Sequence, residues 1–356
     1  MVPWVRRTER LFGRSVTALF WKRDVRATVV RALDEFRPDV VNIHNIHGAA
    51  AEGWGAGAAV AAAARVPTVW TLHDMWSFTG RCAYSYDCRK FLTGCDASCP
   101  TPHEYPSLEP HRIRAAWLEK QAAISSVSLA AVCPSRWLAR EAAAGLWSGR
   151  RVEVIPYGLP LEVYRPVERG LARQALDIPV DAPVLLCAAQ DLRERRKGGG
   201  LLMDALRQLR RRPLTLVTLG AGRLELDAPG LRTVPLGYVD HERTKVLAYS
   251  AADLLVHPAP VDNLPNVVME AMACGTPAVG FPVGGVPDMV RPGITGWLAT
   301  AVTPQALAVA LDAALADLAD GRNLRDSCRS VAEAEYSDSL QARRYLELFE
   351  SLRSSR

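Results

Sequence analysis

The sequence predicts an α/β protein with two domains, each built on a mostly parallel sheet with helices on both faces. Short apolar runs without polar alternation are followed by helical stretches, which is typical of buried parallel strands and their crossovers. The 356 residues are enough for two complete cores. The proline-rich stretch 159–183 has the composition of a linker and separates the two halves.

The first half carries four predicted strands, at 39–44, 68–72, 129–133 and 152–155. An alanine-rich helix is predicted over 49–64, and further helices over 111–125 and after Ser135. Polar side chains stand where the first two strands end, and ligands of such folds bind at the carboxyl ends of strands. A lone histidine there is commonly a loop residue bonded to backbone, but three in two loops favour a binding surface. These residues are His44, His47, His73 and Asp74.

The second half repeats the pattern, with strands predicted at 184–189, 214–219, 254–257 and 278–281. Its key stretch is 262–285, which predicts a loop, a short helix and a strand. Pro265 and Asn266 are typical of a helix start, with Asn266 suited to the N-cap. Gly275 and Pro277 are typical of its end.

Two carboxylates flank this helix start. Asp262 precedes the helix, and Glu270 lies within it. The free N–H groups of a helix start favour an anion such as phosphate, whereas carboxylates suit sugar hydroxyls. The inferred ligand is a diphosphate with a sugar at both ends. For an isolated pair of this spacing, simple capping and dipole roles would be the better interpretation.

A basic loop follows the strand at 184–189. Arg196 and Lys197 could hold a diphosphate there, and Gly198 would let backbone approach it. A solvated surface loop is the competing interpretation. Four cysteines also fall close together, at Cys82, Cys88, Cys95 and Cys99. A structural zinc ion is favoured over two disulfides or four free thiols, although the spacing lacks the usual C-x2-C pairs.

Several segments resemble one known family. The stretch 270–290 (EAMACGTPAVGFPVGGVPDMV), the acidic-x7-Glu pattern and TLHDMWSFTG at 71–80 resemble the retaining glycosyltransferases of family 4, which have the GT-B fold. The loop 73–88 resembles a capsule and exopolysaccharide subgroup that includes colanic acid glycosyltransferases. The resemblance implies two Rossmann-like domains that face each other across a cleft.

The resemblance also implies roles for individual residues. Lys197, Arg196 and Gly198 would clamp the diphosphate, Glu270 would hold the nucleotide ribose, and Asp262 and His73 would orient the transferred sugar. His44, His47 and Asp74 would lie on the acceptor side. The nucleotide would also meet two backbone loops, namely Gly237, Tyr238 and Val239 at the base, and Asn263, Leu264, Pro265 and Asn266 at the phosphates.

The implied reaction is hexosyl transfer from a nucleotide-diphosphate sugar to a glycan or lipid-linked acceptor, with retention and within polysaccharide biosynthesis. No D-x-D motif occurs in a suitable loop, so no catalytic cofactor is expected beyond the donor substrate. Two alternatives stay open. One is a catalytically impaired relative that serves as an assembly partner, and the other is a phosphorylase or epimerase of similar fold.

The expected domains are 1–158, with the cysteine loop 82–99, and 159–335, followed by a helix over 336–356 that crosses back to the first domain. No first strand or glycine loop is found before Asp39. The net charge of +5 is too small to indicate nucleic-acid binding. No apolar run approaches the roughly 20 residues of a membrane span, so a cytoplasmic protein is expected. Its basic, aromatic N-terminus suits peripheral contact with the inner face of the membrane.

Overall fold

A computed structural model describes residues 25–47, 53–224 and 227–354. The described chain divides into two compact units. The first unit contains the described residues up to Ile155 together with those from Tyr345 onward, and the second runs from Pro156 to Arg344. Each unit holds one sheet in which every pair of neighbouring strands is parallel, so the predicted α/β class is confirmed.

The first unit is built on a four-stranded sheet with strand order β1-β2-β3-β4. The central strands β2 (TVWT) and β3 (LAAVC) are buried throughout, and neither contains a charged residue. The strands are β1 Val41–His44, β2 Thr68–Thr71, β3 Leu129–Cys133 and β4 Arg151–Val154. The helices are α1 at residues 25–36, α2 Ala56–Ala63, α3 Pro110–Ser126 and α4 Arg136–Ala144, with 3-10 turns at Trp76–Phe78 and Lys90–Leu92.

The two faces of this sheet are covered differently. One face packs under α2, α3 and α4 in a cluster rich in tryptophan and phenylalanine. The other face packs against the end of the last helix, where Leu348 joins Val69 and Val132. The Tyr345 hydroxyl also shares a hydrogen bond of 2.9 Å with Thr71 Oγ1. The last turns of the chain therefore complete the core of the first unit.

The second unit is built on a six-stranded sheet with order β10-β9-β8-β5-β6-β7. The strands are β5 Val184–Asp191, β6 Leu214–Ala221, β7 Leu231–Gly237, β8 Leu254–His257, β9 Ala278–Gly280 and β10 Gly296–Leu298. The helices are α5 Arg169–Ala175, α6 Gly199–Gln208, α7 Glu242–Ala251, α8 Asn266–Ala273, α9 Val286–Met289, α10 Pro304–Ala319, α11 Arg325–Glu335 and the first turns of α12 Asp338–Ser354. A 3-10 turn, Arg195–Lys197, joins β5 to α6. Apolar cores form on both faces of the sheet.

The proline-rich stretch 159–183 is not a simple linker. It contains α5, and it places Leu159, Tyr164 and Ala172 in the core of the second unit. The interpretation as a linker was therefore wrong, because apolar side chains between the prolines bury themselves against α7 and α8.

Two predictions fall wholly or partly on residues that the structure does not describe. The basic N-terminus, with the strand and glycine loop not found before Asp39, involves residues 1–24. The alanine-rich helix begins at Ala56 in the described chain, whereas the prediction began at 49, and residues 48–52 lie outside the described part. Among the described residues, no helix combines the length and apolar character that crossing a membrane requires.

Candidate active site

The main candidate site lies at the carboxyl ends of β5 and β8, which are neighbours in the second sheet. Arg196 and Lys197 stand in the 3-10 turn after β5, and Asp262 stands in the loop after β8. Because both strands run in the same direction, the two loops emerge at one edge. This is the edge at which doubly wound folds bind ligands.

A buried carboxylate is the centre of this site. Asp262 is only 6% exposed, and its Oδ2 atom lies 2.9 Å from Lys197 Nζ and 3.7 Å from Arg196 Nη1. Burial acts to raise the pKa of Asp262, but Lys197, then His257 and Arg196, outweigh it and hold the pKa below its usual value. The carboxylate is therefore ionised at neutral pH and fixes the two cations in place.

Two glycines let backbone segments pack closely around the Asp262 loop. Gly198 has a φ of +73°, and a Cβ there would overlap the carbonyl oxygen of Pro258, so the Arg195–Lys197 turn can lie against the end of β8. Gly284 has a φ of +55°, and a Cβ there would overlap the Asp262 carbonyl oxygen. The next N–H, of Gly285, donates to that oxygen at 3.2 Å. The backbone at Asp262 is thus fixed from both sides.

The structure adds His257, a residue to which the sequence analysis gave no role. It ends β8, is 3% exposed, and its Nε2 atom lies 3.6 Å from Asp262 Oδ2. Burial lowers the pKa of His257 to about 4, with Asp262 opposing and Lys197 and Arg196 assisting. The ring is therefore neutral at pH 7. Its position as the one polar residue of an apolar strand, at the carboxyl end, was the available signal.

The loop before α8 is shaped by its own backbone. The N–H of Asn263 donates to Asp262 Oδ1 at 2.9 Å, and the Leu264 side chain packs in the core. The prediction of Asn266 as N-cap was wrong, because the cap residue is Pro265 and it offers no side-chain acceptor. The helix start therefore keeps N–H groups without a side-chain cap, as an anion site at a helix start requires.

Glu270, which lies on α8, has partners of its own outside that helix. Its Oε2 atom accepts a hydrogen bond of 2.5 Å from the Tyr249 hydroxyl, and Tyr164 also donates to it. Burial raises the pKa of Glu270, while the two tyrosines and Lys245 oppose that rise. The carboxylate is held in one orientation, and its remaining lone pairs can accept hydrogen bonds from a diol.

The predicted base loop lies at the edge strand of the same sheet. Gly237 ends β7 with a φ of +70°, and Tyr238 and Val239 follow. Two strands, β5 and β6, separate β7 from β8. Tyr238 is 61% exposed. The structure thus places these three residues on the carboxyl edge, apart from the Asp262 ion pairs.

In the first unit, the predicted acceptor-side residues come together after β1 and β2. His44 Nδ1 and His73 Nε2 are 3.0 Å apart, and His47 Nε2 lies 3.4 Å from Asp74 Oδ2. Burial, and then the neighbouring imidazoles of His44 and His47, lower the pKa of His73 to about 4. His73 is therefore a neutral hydrogen-bonding group at pH 7.

A buried lysine on α3 holds the loop that follows β2. Lys120 Nζ donates to the carbonyl oxygens of Trp76 and Thr79, at 2.6 Å and 2.9 Å, and lies 3.7 Å from the centre of the Trp76 ring. The His47 ring also stacks on Trp76, with the two ring centres 5.6 Å apart. The packing explains why the loop after β2 has a fixed shape.

The predicted zinc site is not formed by the described residues. Cys82, Cys88, Cys95 and Cys99 are free thiols, and no group of three or more metal-binding side chains is found in the described part of the chain. Cys95 packs into the apolar core of the first unit. Burial is the main cause that raises the pKa of Cys95, to about 11.

Comparisons with known proteins agree with this geometry. Residues 2–163 match the model of Glycosyltransferase Family 4, and residues 182–317 match that of Glycosyl transferases group 1. D-inositol 3-phosphate glycosyltransferase 1 of Catenulispora acidiphila is 35% identical over 47% of this chain and 44% of its own length. WcaC of Escherichia coli, a protein assigned to colanic acid biosynthesis, is 29% identical over 60% of this chain and 51% of its own. The chain thus spans about half the length of these curated relatives.

Solved structures with the same fold cover more of the chain. Sucrose-phosphate synthase from Thermosynechococcus elongatus gives a TM-score of 0.70 at 20% identity, over 92% of this chain and 76% of that one. Anabaena HepE in complex with UDP-glucose gives 0.64 at 20% identity, over 92% and 82%. These similarities establish the GT-B fold. The two parallel-sheet units and the two family matches make the chain similar, along most of its length, to the glycosyltransferases of family 4.

Proposed function

We propose that this protein transfers a hexosyl group from a nucleotide-diphosphate sugar to a glycan or lipid-linked acceptor, with retention of anomeric configuration. The observation that carries the proposal is the ion-pair cluster at the carboxyl edge of the second sheet. There Lys197 and Arg196 both approach a buried, ionised Asp262 beside the start of α8.

The cluster suits a departing diphosphate. Lys197 is 22% exposed on its side chain, so the ammonium is fixed by Asp262 yet remains open to a ligand. Negative charge builds on the leaving group as the glycosidic bond breaks, and fixed cations with free helix N–H groups stabilise it without reorganisation. In this proposal Lys197 and Arg196 act on the phosphates, and the loop from Asn263 to Asn266 lies against them, with the backbone N–H groups of Leu264 and Asn266 as donors.

Three further residues would position the sugars. Glu270, oriented by Tyr249, would accept hydrogen bonds from the ribose diol. Asp262 would accept from a hydroxyl of the transferred sugar. The neutral ring of His73 would donate or accept a hydrogen bond without adding charge. Gly237, Tyr238 and Val239 would meet the base through their backbone.

Retention is proposed to proceed by front-face attack of the acceptor, with the leaving phosphate oxygen taking its proton. No protein nucleophile enters this step. The role of the acceptor in polysaccharide synthesis is supported by the likeness to WcaC, and a nucleotide sugar donor by the fold shared with HepE. His44, His47 and Asp74 are proposed to face the acceptor.

A transfer assay tests the proposal and separates it from its alternatives. A panel of radiolabelled nucleotide sugars is incubated with the full chain, with or without a polyprenyl-diphosphate-linked sugar. A glycosyltransferase labels the lipid fraction only when both substrates are present, and the anomer of the product is read by NMR. A phosphorylase would instead form a sugar phosphate with inorganic phosphate, and an epimerase would need no acceptor. Failure of every donor would favour an assembly partner.

A further inference from the structure

A cavity lies in the second unit at the edge where the strands begin, opposite the edge that carries the candidate active site. Its floor is formed by residues that immediately precede strands, namely Pro183 before β5, Asp253 before β8 and Pro277 before β9. Its walls come from the start of α5 and from the segment that joins α10 to α11. The cavity volume is about 910 Å³, within the usual range for small-molecule sites.

The lining of this cavity is rich in arginine. It carries five arginines and three carboxylates, among them Arg169, Arg173, Arg211, Arg325, Glu168 and Asp253. Two of the carboxylates are already used. Asp253 accepts from Arg169 and Arg173, each at 2.7 Å, and from the N–H of Val184. Glu168 accepts from the first N–H groups of α5. The cavity therefore has an excess of positive charge.

Two of these guanidinium groups have buried nitrogens without a hydrogen-bond partner, namely Arg169 Nε and Arg325 Nη1. Buried donors are nearly always satisfied in folded proteins, by protein, water or a ligand. Burial, and then the charge of Arg169, lower the pKa of Arg325, although Asp253 and Asp326 oppose that fall. An anion bound in the cavity beside these two guanidinium groups would offset their repulsion.

We propose that this cavity binds a phosphate-bearing ligand at a site separate from the donor site. Planar guanidinium groups match phosphate oxygens in geometry and charge, and Arg169 and Arg325 offer such groups at the cavity wall. Arg211, at the rim, adds a third. The phosphate could belong to a soluble metabolite or to a lipid headgroup, and the chemistry recognised is the same.

Thermal unfolding with inorganic pyrophosphate tests the proposal. The measurements use the Lys197→Ala background, because that change weakens pyrophosphate binding at the donor site and leaves the cavity intact. We expect a Tm rise of at least about 5 °C at roughly 100 times Kd. Arg325→Gln with Arg211→Gln should weaken binding about tenfold or more. Arg325→Lys, which keeps the charge, should retain part of the effect.

Arg65→Gln is the matched control, since it removes one exposed arginine of the first unit that pairs with Asp34. It should leave the pyrophosphate response unchanged. Co-sedimentation with phosphatidylglycerol vesicles, against phosphatidylcholine vesicles, identifies a headgroup if binding requires Arg325 and Arg211 and soluble phosphates have little effect. The proposal is overturned if the double variant responds like its parent, or if neither pyrophosphate nor anionic vesicles bind. Circular dichroism confirms that each variant is folded.

Discussion

The predicted site residues lie at the carboxyl edges of two parallel sheets. The central group is an ionised carboxylate at one edge and a neutral imidazole at the other. In the second unit, the buried carboxylate of Asp262 stays ionised because Lys197 and Arg196 lie against it. In the first unit, His73 stays neutral because burial is reinforced by other imidazoles, His44 and His47. Both groups follow the carboxyl end of a parallel strand.

The difference shows that strand topology determines where the polar side chains lie, whereas the neighbouring groups determine whether each of those side chains is ionised. A buried group keeps its charge only where opposite charges offset the loss of water. The ionised cluster suits the charge that builds on a leaving diphosphate, and the neutral cluster suits hydrogen bonds to sugar hydroxyls. Substitutions at each edge can therefore test whether the two really act in these separate ways.

The largest expected effect comes from Lys197→Ala. Removing one fixed cation from the leaving-group site should lower kcat by about 1,000-fold, in a steady-state transfer assay with the best donor of the panel. The same change leaves the buried Asp262 carboxylate without its nearest cation, and Arg196 Nη1 is 3.7 Å away. We therefore also expect a loss of about 3 kcal/mol in the free energy of unfolding.

A double variant separates these two consequences. Adding Asp262→Asn to Lys197→Ala removes the buried negative charge, so stability in urea should return to within about 1 kcal/mol of the parent. Activity should not return. Recovery of turnover in the double variant would mean that the single change acted through folding alone, and that Lys197 has no role at the diphosphate.

A smaller effect is expected at the neutral edge. His73→Ala should lower kcat/KM by roughly 10- to 100-fold, the worth of one or two hydrogen bonds to the transferred sugar. His44→Ala is the matched control, because it removes the neighbouring ring at 3.0 Å but not the proposed sugar contact. It should cost less activity. Equal losses in both variants would show that the pair acts as a structural unit.

Much of the architecture was predictable because buried parallel strands have a strong sequence signature. The mostly apolar runs predicted at 68–72, 129–133 and 254–257 each correspond to an observed strand, namely β2, β3 and β8. The segment holding α5 was missed because its prolines suggested a linker. In the structure Pro160 and Pro166 precede the helix and Pro179 and Pro183 follow it, so none interrupts the seven helical residues.

The site was predictable only in part, because sequence gives positions along the chain and not side-chain directions. The grouping of Lys197 with Asp262 follows from adjacent strands and a resemblance. The hydrogen bond from Tyr249 to Glu270 joins residues 21 positions apart on different helices, and no local pattern indicates it. Likewise, four cysteines close together in the sequence suggested zinc, but Cys95 packs into the core.

The smallest expected effect concerns His257 and stability at low pH. The pKa of this buried ring is about 4, against an ordinary value of 6.5, so the unfolded chain binds a proton more readily than the folded one. The contribution of His257 to the free energy of unfolding is therefore complete above the pKa that this residue has in the unfolded chain. That contribution is lost as pH falls from about 6.5 toward 4. Between pH 7 and pH 5 this residue alone should remove about 2 kcal/mol from the free energy of unfolding.

His257→Asn isolates that contribution, because asparagine keeps a polar group near Asp262 without titrating in this range. Urea unfolding at both pH values should give a pH-dependent loss about 2 kcal/mol smaller in the variant than in the parent. His103→Asn, a change at another histidine, should leave the parent's dependence intact. If the variant loses as much stability as the parent at pH 5, then His257 is charged in the folded protein. It would in that case pair with Asp262 at 3.6 Å, and the second edge would hold three cations around its carboxylate.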